Sequence, residues 1–395
     1  MPHIKVTPFD TSVIDALVEE GSLVKFRATS QTGDDELLGV EHGGEEFLIQ
    51  IKPTPTETLI KYDKVTRPLK VNLIKEAIDA IASKLNLEVK HSNIALSNTK
   101  APLSSEYFKK IEDFETIDFG ERKISVEVGF GSGRHLLFQA KKHPDILFIG
   151  IEIHTPSAQQ VLRQIELQGL ENIWVLNYDA RLFMEMLPSN ICHKIYVHFP
   201  VPWDKKPHRR VIGKSFLEES MRVLMQDGQL ELRTDSDNYF WYALETFFSV
   251  PKTEVEVRKN EALEVTSKYE ERWLKQEKDI YDVTVKCKEI SKEREIDANF
   301  NFNIVKYGKY VEDHLPKEAK VFDKASSGYF VHFERMYKIG EKSLLVKCAF
   351  GSFDRPEHKY ILLDEKGCRY FVSTPVKTSV NYLAHKKIME FMSHG

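Results

Sequence analysis

From about residue 122 the chain alternates between two kinds of segment. KISVEVGF, ILFIGIEI, NIWVLNYDA, KIYVHFP and QLELRTD are short apolar runs, and GRHLLFQAKKHPD, AQQVLRQIELQGL and SFLEESMRVLM between them carry apolar residues at helical spacing. This alternation constrains the fold more than any other feature. Strands separated by helices of about 10–15 residues give a mostly parallel sheet with helices on both faces, because a parallel crossover needs a helix-sized connection. The middle block is therefore expected to be α/β. Ser215 and Glu218 have the S-x-x-E spacing of a capping box for the third helix, and Asp227-Gly228 is its expected stop.

The flanks read differently. Residues 1–66 form a β-rich N-terminal region, with SLVKFRATSQ and EEFLIQIKPTP as a hairpin around Gly33-Asp34-Asp35 and Gly43-Gly44. LIKEAIDAIASKLNL predicts a helix near 72–87, so 67–121 is read as a helical segment and linker leading into a catalytic domain over 122–295. Residues 296–395 read as a β-rich C-terminal domain: FNIVKYGKY, GYFVHFERMYKI, KSLLVKCAF, KYILLDE and CRYFVSTP, a turn at Glu365-Lys366-Gly367, and a closing helix NYLAHKKIMEFM. At about 150 residues per domain, two or three domains are expected. Cys192, Cys287, Cys348 and Cys368 are far apart, which argues against a zinc site or a disulfide scaffold and fits a reducing cytoplasm. No run approaches about 18 apolar residues, so no membrane span is expected. MPHIKVTPFD lacks the charged-then-apolar pattern of a leader.

Val126-Glu127-Val128-Gly129-Phe130-Gly131-Ser132-Gly133 follows the first strand and opens a helix. Gly129, Gly131 and Gly133 allow a tight turn and close approach of a ligand to the backbone. Glu152 ends the second strand, 21 residues after Gly131, where an acid can accept hydrogen bonds from a ribose. Asp179 ends the third strand. Ile153 and Ala180, next to these acids, complete the expected cofactor pocket. A nicotinamide dehydrogenase also places an acid after its second strand, and remains the rival reading. Its loop, however, is G-x-G-x-x-G, whereas this one is G-x-G-x-G with Glu127 two residues before the first glycine. A carboxylate there repels a pyrophosphate but suits the ammonium of a methionine moiety, which favours S-adenosylmethionine (SAM).

Formal net charge is −4, with 56 Lys+Arg against 60 Asp+Glu, so the whole chain has no nucleic-acid signature. Local charge differs. The fourth strand runs into His198-Phe199-Pro200-Val201-Pro202-Trp203-Asp204-Lys205-Lys206-Pro207-His208-Arg209-Arg210. Between 204 and 214 five cations (Lys205, Lys206, Arg209, Arg210, Lys214) face one acid, Asp204. A basic loop with an aromatic suits phosphates and a stacked base.

VEVGFGSG, GIEIHTP, NYDA, HFPVPWDKKPHRR, RTDSDNY and SKYEERW, over about 122 to 285, resemble the bacterial tRNA (guanine-N7-)-methyltransferases in order and spacing. The resemblance implies a Rossmann-like SAM-dependent methyltransferase sheet and methylation of a guanosine N7 in the tRNA variable loop. By motif, Glu127, Glu152 and Asp179 would bind SAM. Lys205 and Asp235 would contact tRNA, joined by the neighbouring His208, Arg209 and Arg210, and Ser267 with Glu270 would fall in a late T-K-[FY]-E-like element. There are two departures. Val201 stands where the family usually has Asp in F-P-D-P-W, and Ser267 replaces Thr. Loss of the acid leaves a non-catalytic tRNA-binding relative as a further rival. Guanine N7 carries no proton, however, so no base has to remove one. An acid would only offset charge gathering on the purine, a role given to Asp235, with Asp204 as a second source.

Several residues have a plainer reading. His198 is expected to be packed and hydrogen-bonded, Cys192 and Cys287 to be small core residues, and Phe240, Trp241, Tyr242, Phe247 and Phe248 to be helical core. His154 is a possible lining of the SAM pocket, and Tyr239 and Trp203 are kept as base contacts. Lys286, Lys288, Lys292 and Arg294 read as a solvated face. In the C-terminal region, Lys306, Lys309, Arg335, Tyr337, Lys338, Lys347, Arg369 and Tyr370 would suit either a second tRNA surface or a packing module. No metal-ligand cluster is visible, and neither DNA nor a membrane is an expected partner.

Overall fold

The computed structural model describes residues 2–68, 70–95, 106–262, 264–265, 278–295, 298–302, 314–323 and 328–393. The chain forms two units, Leu103–Asp297 and a flanking unit made of Met1–Pro102 with Ala298–Gly395.

The first unit is the expected α/β block. Its elements are β1 (Lys123–Val128), α1 (Arg134–Lys142), β2 (Ile146–Ile151), α2 (Thr155–Gln168), β3 (Ile173–Leu176), α3 (Ala180–Met186) and β4 (Cys192–His198). They are followed by α4 (Lys214–Val223), β5 (Leu224–Thr234), α5 (Asp237–Phe247), β6 (Glu254–Lys259) and β7 (Tyr281–Lys286). Five of the six residues of β2 are buried, as in a strand covered on both faces. Gly169, at φ 62°, ends α2 by taking the left-handed conformation. Phe130, Leu136, Phe148, Val161, Ile165 and Ile173 form the core under α1 and α2.

The sheet order is β6-β7-β5-β4-β1-β2-β3, with the two-residue strand Phe108–Lys109 outside β3. The strands from β3 to β5 are parallel, whereas β7 runs antiparallel to both β5 and β6. The dinucleotide-binding order is 3-2-1-4-5-6; here an antiparallel strand is inserted between the fifth and the sixth. Chain order reverses between β1 and β4, and their carboxyl ends border the crevice where open α/β sheets bind ligands.

Two local expectations fail. α4 starts at Lys214 behind Gly213 with no side-chain cap, so Ser215 and Glu218 lie inside the helix and form no capping box. Glu218 instead pairs with Lys214, 3.9 Å away and four residues earlier. The helix also ends at Val223, before Asp227-Gly228, because Leu224 is already the buried first residue of β5.

The flanking unit redraws the expected boundaries. The N-terminal region is a meander in which Val24–Ser30 pairs with Glu36–His42, and Glu36–His42 pairs with Glu45–Pro53 across Gly43-Gly44. The single expected hairpin is therefore two. The expected helix is Val71–Lys84. Thr29 and Ser30 pair with Lys338 and Tyr337 of Tyr329–Ile339, so residues 1–66 and 296–395 share one sheet instead of forming separate regions. Asp35 accepts a hydrogen bond from the Tyr337 hydroxyl at 3.0 Å, and Asp63 accepts one from Tyr360 at 3.0 Å. Strands Ser343–Gly351, Pro356–Asp364 and Gly367–Phe371 and helix Ser379–Ser393 agree with the reading of the C-terminal region; FNIVKYGKY lies, except for Phe302, outside the described residues. Among the described residues no helix is long and apolar enough to cross a membrane.

Candidate active site

The glycine loop joins β1 to α1 at the carboxyl edge of the sheet. Gly129 and Gly131 have φ of 71° and 54°, a conformation that disfavours any side chain, and nothing lies within 4 Å of where a Cβ would project from either. The loop thus offers an open backbone cradle. Gly133 serves packing, because a Cβ there would sit 2.3 Å from Val161 of α2.

The three acids have different partners, and one of them holds this loop. Glu152, one residue beyond β2, accepts hydrogen bonds from the Gly131 N–H and the His154 N–H, both at 2.9 Å. It therefore ties the glycine loop to the turn after β2, and each oxygen keeps a lone pair for a ligand hydroxyl. Asp179 caps α3, accepting from the Arg181 N–H at 2.9 Å and from its guanidinium at 2.7 Å. Glu127 is buried, and its carboxylate meets Nδ1 of His135 in the first turn of α1 at 2.7 Å. Of the neighbours, Ile153 is 71% exposed and Ala180 is buried. His154 is exposed and bonds Ser157 through Nδ1 at 2.9 Å.

His135 escaped the sequence reading, although its place at the start of the helix after the glycine loop was visible. It belongs to a polar cluster beneath the loop. Its ring lies 4.5 Å from that of His198, whose Nε2 bonds Glu231 at 2.8 Å, and Lys194 pairs with Glu231 at 2.6 Å. His198 is thus the hydrogen-bonded residue that was expected. Burial opposes protonation of His135, but the charge and hydrogen bond of Glu127, helped by Glu231, raise its pKa above the ordinary value. Burial alone would raise the Glu231 carboxyl, yet His198 and Lys194 hold it well below the usual carboxylate range. Burial, then Glu231 and Glu127, push the Tyr196 hydroxyl up.

The loop after β4 leaves the same edge. Phe199 and Trp203 both have φ of 48°, which turns the chain sharply on either side of Pro200-Val201-Pro202. Lys205, His208 and Arg209 are exposed, and Arg209 lies over the Trp203 ring at 5.2 Å. Arg210, grouped with them from sequence, is instead 7% exposed. Its Nε donates to the Pro202 carbonyl at 2.7 Å, and its guanidinium stacks on Tyr242 at 4.6 Å and Tyr239 at 5.3 Å. It holds the loop in shape and offers no face to a ligand. Tyr239 is corrected too: it is fully buried, and its hydroxyl accepts the Ile212 N–H at 3.1 Å. In the aromatic run after it, Phe240 and Phe247 are core, but Trp241 and Phe248 are exposed. The reason is the helical period, which points these two away from the sheet.

Asp235 follows β5 directly and pairs with Lys278 at 3.2 Å. Asp204 reaches Arg210 at 3.5 Å and Asn238 at 3.4 Å, while Val201 is exposed. Ser267 and Glu270 lie outside the described residues. Lys286, Lys288 and Arg294 are ion-paired, with Glu254, with Asp227 and Glu254, and with Glu219.

Residues 121–283 match a protein family described as "Putative methyltransferase". Three curated relatives, each called tRNA (guanine-N(7)-)-methyltransferase, align far beyond that block. The protein of Wolinella succinogenes is 40% identical over 362 residues, 91% of each chain. That of Campylobacter fetus is 40% identical over 377 residues, 94% of each, and that of Helicobacter hepaticus 33% over 403 residues, all of both. The flanking unit, which had stood outside the resemblance, is therefore shared with these relatives, and the chain belongs to the tRNA (guanine-N(7)-)-methyltransferase family.

Proposed function

We propose that this protein transfers the methyl group of SAM to N7 of a guanosine in the variable loop of tRNA. The observation that carries the reading is the edge of the α/β sheet. An open glycine cradle and acids from β1, β2 and β3 lie there, and a cationic, aromatic loop leaves the adjacent β4. Acids without a pyrophosphate-binding G-x-G-x-x-G, together with the inserted antiparallel β7, disfavour the nicotinamide alternative.

SAM, when bound, supplies a sulfonium methyl that a nitrogen lone pair can attack. The chain's own part is to hold and align. Glu152 keeps the loop closed and accepts ribose hydroxyls, Asp179 and Ala180 border the far end, and Glu127 draws the ammonium. Lys205, His208 and Arg209 take phosphates, with Trp203 as a stacking surface. Guanine N7 has an in-plane lone pair and no proton, so alignment replaces base catalysis. Asp235 offsets positive charge growing on the purine. Ser267 and Glu270 are assigned to tRNA contact by motif alone.

Labelled SAM and unmodified tRNA, followed by borohydride and aniline treatment, test this directly. Label incorporation with strand scission at one variable-loop guanosine is expected. Incorporation without that scission rejects the site, and no incorporation favours a non-catalytic tRNA binder. Asp235→Ala is expected to slow transfer by about tenfold or more, of the order of one well-placed charge; an unchanged rate removes Asp235 from the reaction.

A further inference from the structure

The flanking unit carries cations of two kinds. Those singled out in its C-terminal sequence are mostly neutralised. Arg335 pairs with Asp35, Lys347 with Glu334 at 3.0 Å, and Arg369 with Asp364 at 2.8 Å. The second kind lies in the N-terminal strands. Strand Thr58–Tyr62 alternates strictly, burying Thr58, Ile60 and Tyr62 and turning Leu59 and Lys61 to the other face. Lys61 is in register with Gln50 of Glu45–Pro53, which puts Lys52 on the diagonal of the same face, about 7–8 Å away between Cα atoms. Lys64 follows in the turn after Tyr62.

No carboxylate stands at ion-pair distance from Lys52, Lys61 or Lys64 among the described residues. On the neighbouring strand Lys5 is already engaged with Glu57 at 2.6 Å. Lys61 registers the crowding: burial first, then Lys52 and Lys64, push its pKa below the ordinary lysine value, with Asp63 opposing only weakly. Asp63 itself is buried and accepts hydrogen bonds from Tyr360 and from the N–H groups of Val65 and Thr66. Like charges on neighbouring strands weaken a sheet. Three such lysines, beside a strand whose Lys5 is already paired with Glu57, mark a place where the counter-charge comes from outside.

We propose that the face bearing Lys52, Lys61 and Lys64 is a tRNA-binding surface of the flanking unit, which neutralises backbone phosphates of the RNA methylated by the catalytic unit. This rests on the proposed function for the identity of the RNA. Phosphate is the counter-charge that suits the surface, since lysines on a strand face read no base edge and need none. Each lysine that neutralises a phosphate releases counterions and steepens the salt dependence of binding by about 0.7–0.9 in the logarithmic slope.

The test uses the full chain and fluorescent, unmodified tRNA, with affinity measured from about 50 to about 200 mM KCl. Changing Lys52, Lys61 and Lys64 together to Gln is expected to reduce the slope by about 2–3 and weaken binding about tenfold or more at low salt. The triple Lys→Arg variant keeps charge and is expected to keep the slope, which separates charge from fold damage. Lys342→Gln with Lys366→Gln removes two cations from two exposed hairpin turns, one of them paired with Glu365, and is expected to leave the slope unchanged. A wild-type slope in the triple Gln variant, or an equal loss in the turn variant, overturns the proposal. Loss of a dimer in the triple Gln variant, with tRNA affinity intact, assigns the face to a second copy and also overturns it. N7 methylation by the wild type alongside a lysine-independent slope refutes this surface and leaves the function standing. A lysine-dependent slope without methylation does the reverse.

Discussion

Changing His135 to Phe keeps the ring volume but removes the group that meets the Glu127 carboxylate. The side chains of His135 and Glu127 are 10% and 4% exposed, so solvent does little to replace the lost bond. A hydrogen bond to a charged group contributes about 1.5–3 kcal/mol, and breaking a buried ion pair costs about 3–5 kcal/mol. The first range applies where His135 is neutral and the second where it is protonated. The sign follows from the raised pKa of His135. The folded state binds more protons than the unfolded one between the unfolded value of about 6.5 and the higher folded value, so stability falls as pH rises through that window. The gap between wild type and His135→Phe is therefore largest below about pH 6.5 and narrows above the folded pKa, without vanishing, because neutral imidazole still donates. At roughly 2–4 °C per kcal/mol for a unit of this size, the calorimetric transition of the catalytic unit is expected to drop by about 6–20 °C at acid pH and by about 3–12 °C at alkaline pH. A variant as stable as the wild type, or a gap that widens with pH, refutes the reasoning.

Glu152→Ala removes the acceptor for the Gly131 and His154 N–H groups, so SAM affinity by calorimetry is expected to fall roughly 10–100-fold. Glu152→Gln keeps one acceptor oxygen and should fall between; wild-type affinity in the Ala variant sinks the assignment. Arg209 and Arg210 should separate. Arg210→Ala lowers the melting temperature by several degrees through lost stacking and the Pro202 bond, whereas Arg209→Ala leaves melting unchanged and weakens tRNA binding. The opposite pattern reverses the two roles.

What was legible in the sequence were the features written in neighbouring residues. Apolar runs separated by helical periods specify β1 to β5 along the chain, and a glycine-rich turn with Glu152 at the next strand end specifies the cradle. Three things were hidden because they depend on residues distant in sequence. The flanks join through Thr29 with Lys338 and Ser30 with Tyr337, a pairing that no local pattern encodes. The cations of 204–214 looked equivalent, and only the packing of Tyr239 and Tyr242 turns Arg210 inward. His135 and Glu127 are eight residues apart, but their contact exists only once α1 folds back over β1. The capping box failed for a related reason: its spacing was present, while the start of α4 is set by the chain entering from the β4 loop.

The net charge of −4 had argued against a nucleic-acid partner, and the site shows why the balance misleads. The acids at the sheet edge do not stand alone. Glu127 holds His135, Glu152 holds two backbone N–H groups, Asp179 holds Arg181 and Asp235 holds Lys278. Carboxylates fixed in this way need little reorientation when a cation arrives, which favours electrostatic stabilisation. Their partners also mute the negative field that an RNA backbone would otherwise meet on approach. Replacement of the family's Asp by Val201 fits the same logic. Val201 is exposed within the loop whose cations are proposed to take phosphates, and an added acid there would work against that role. Asp235, one strand away and paired with Lys278, can favour charge on the purine without presenting a bare carboxylate to the backbone.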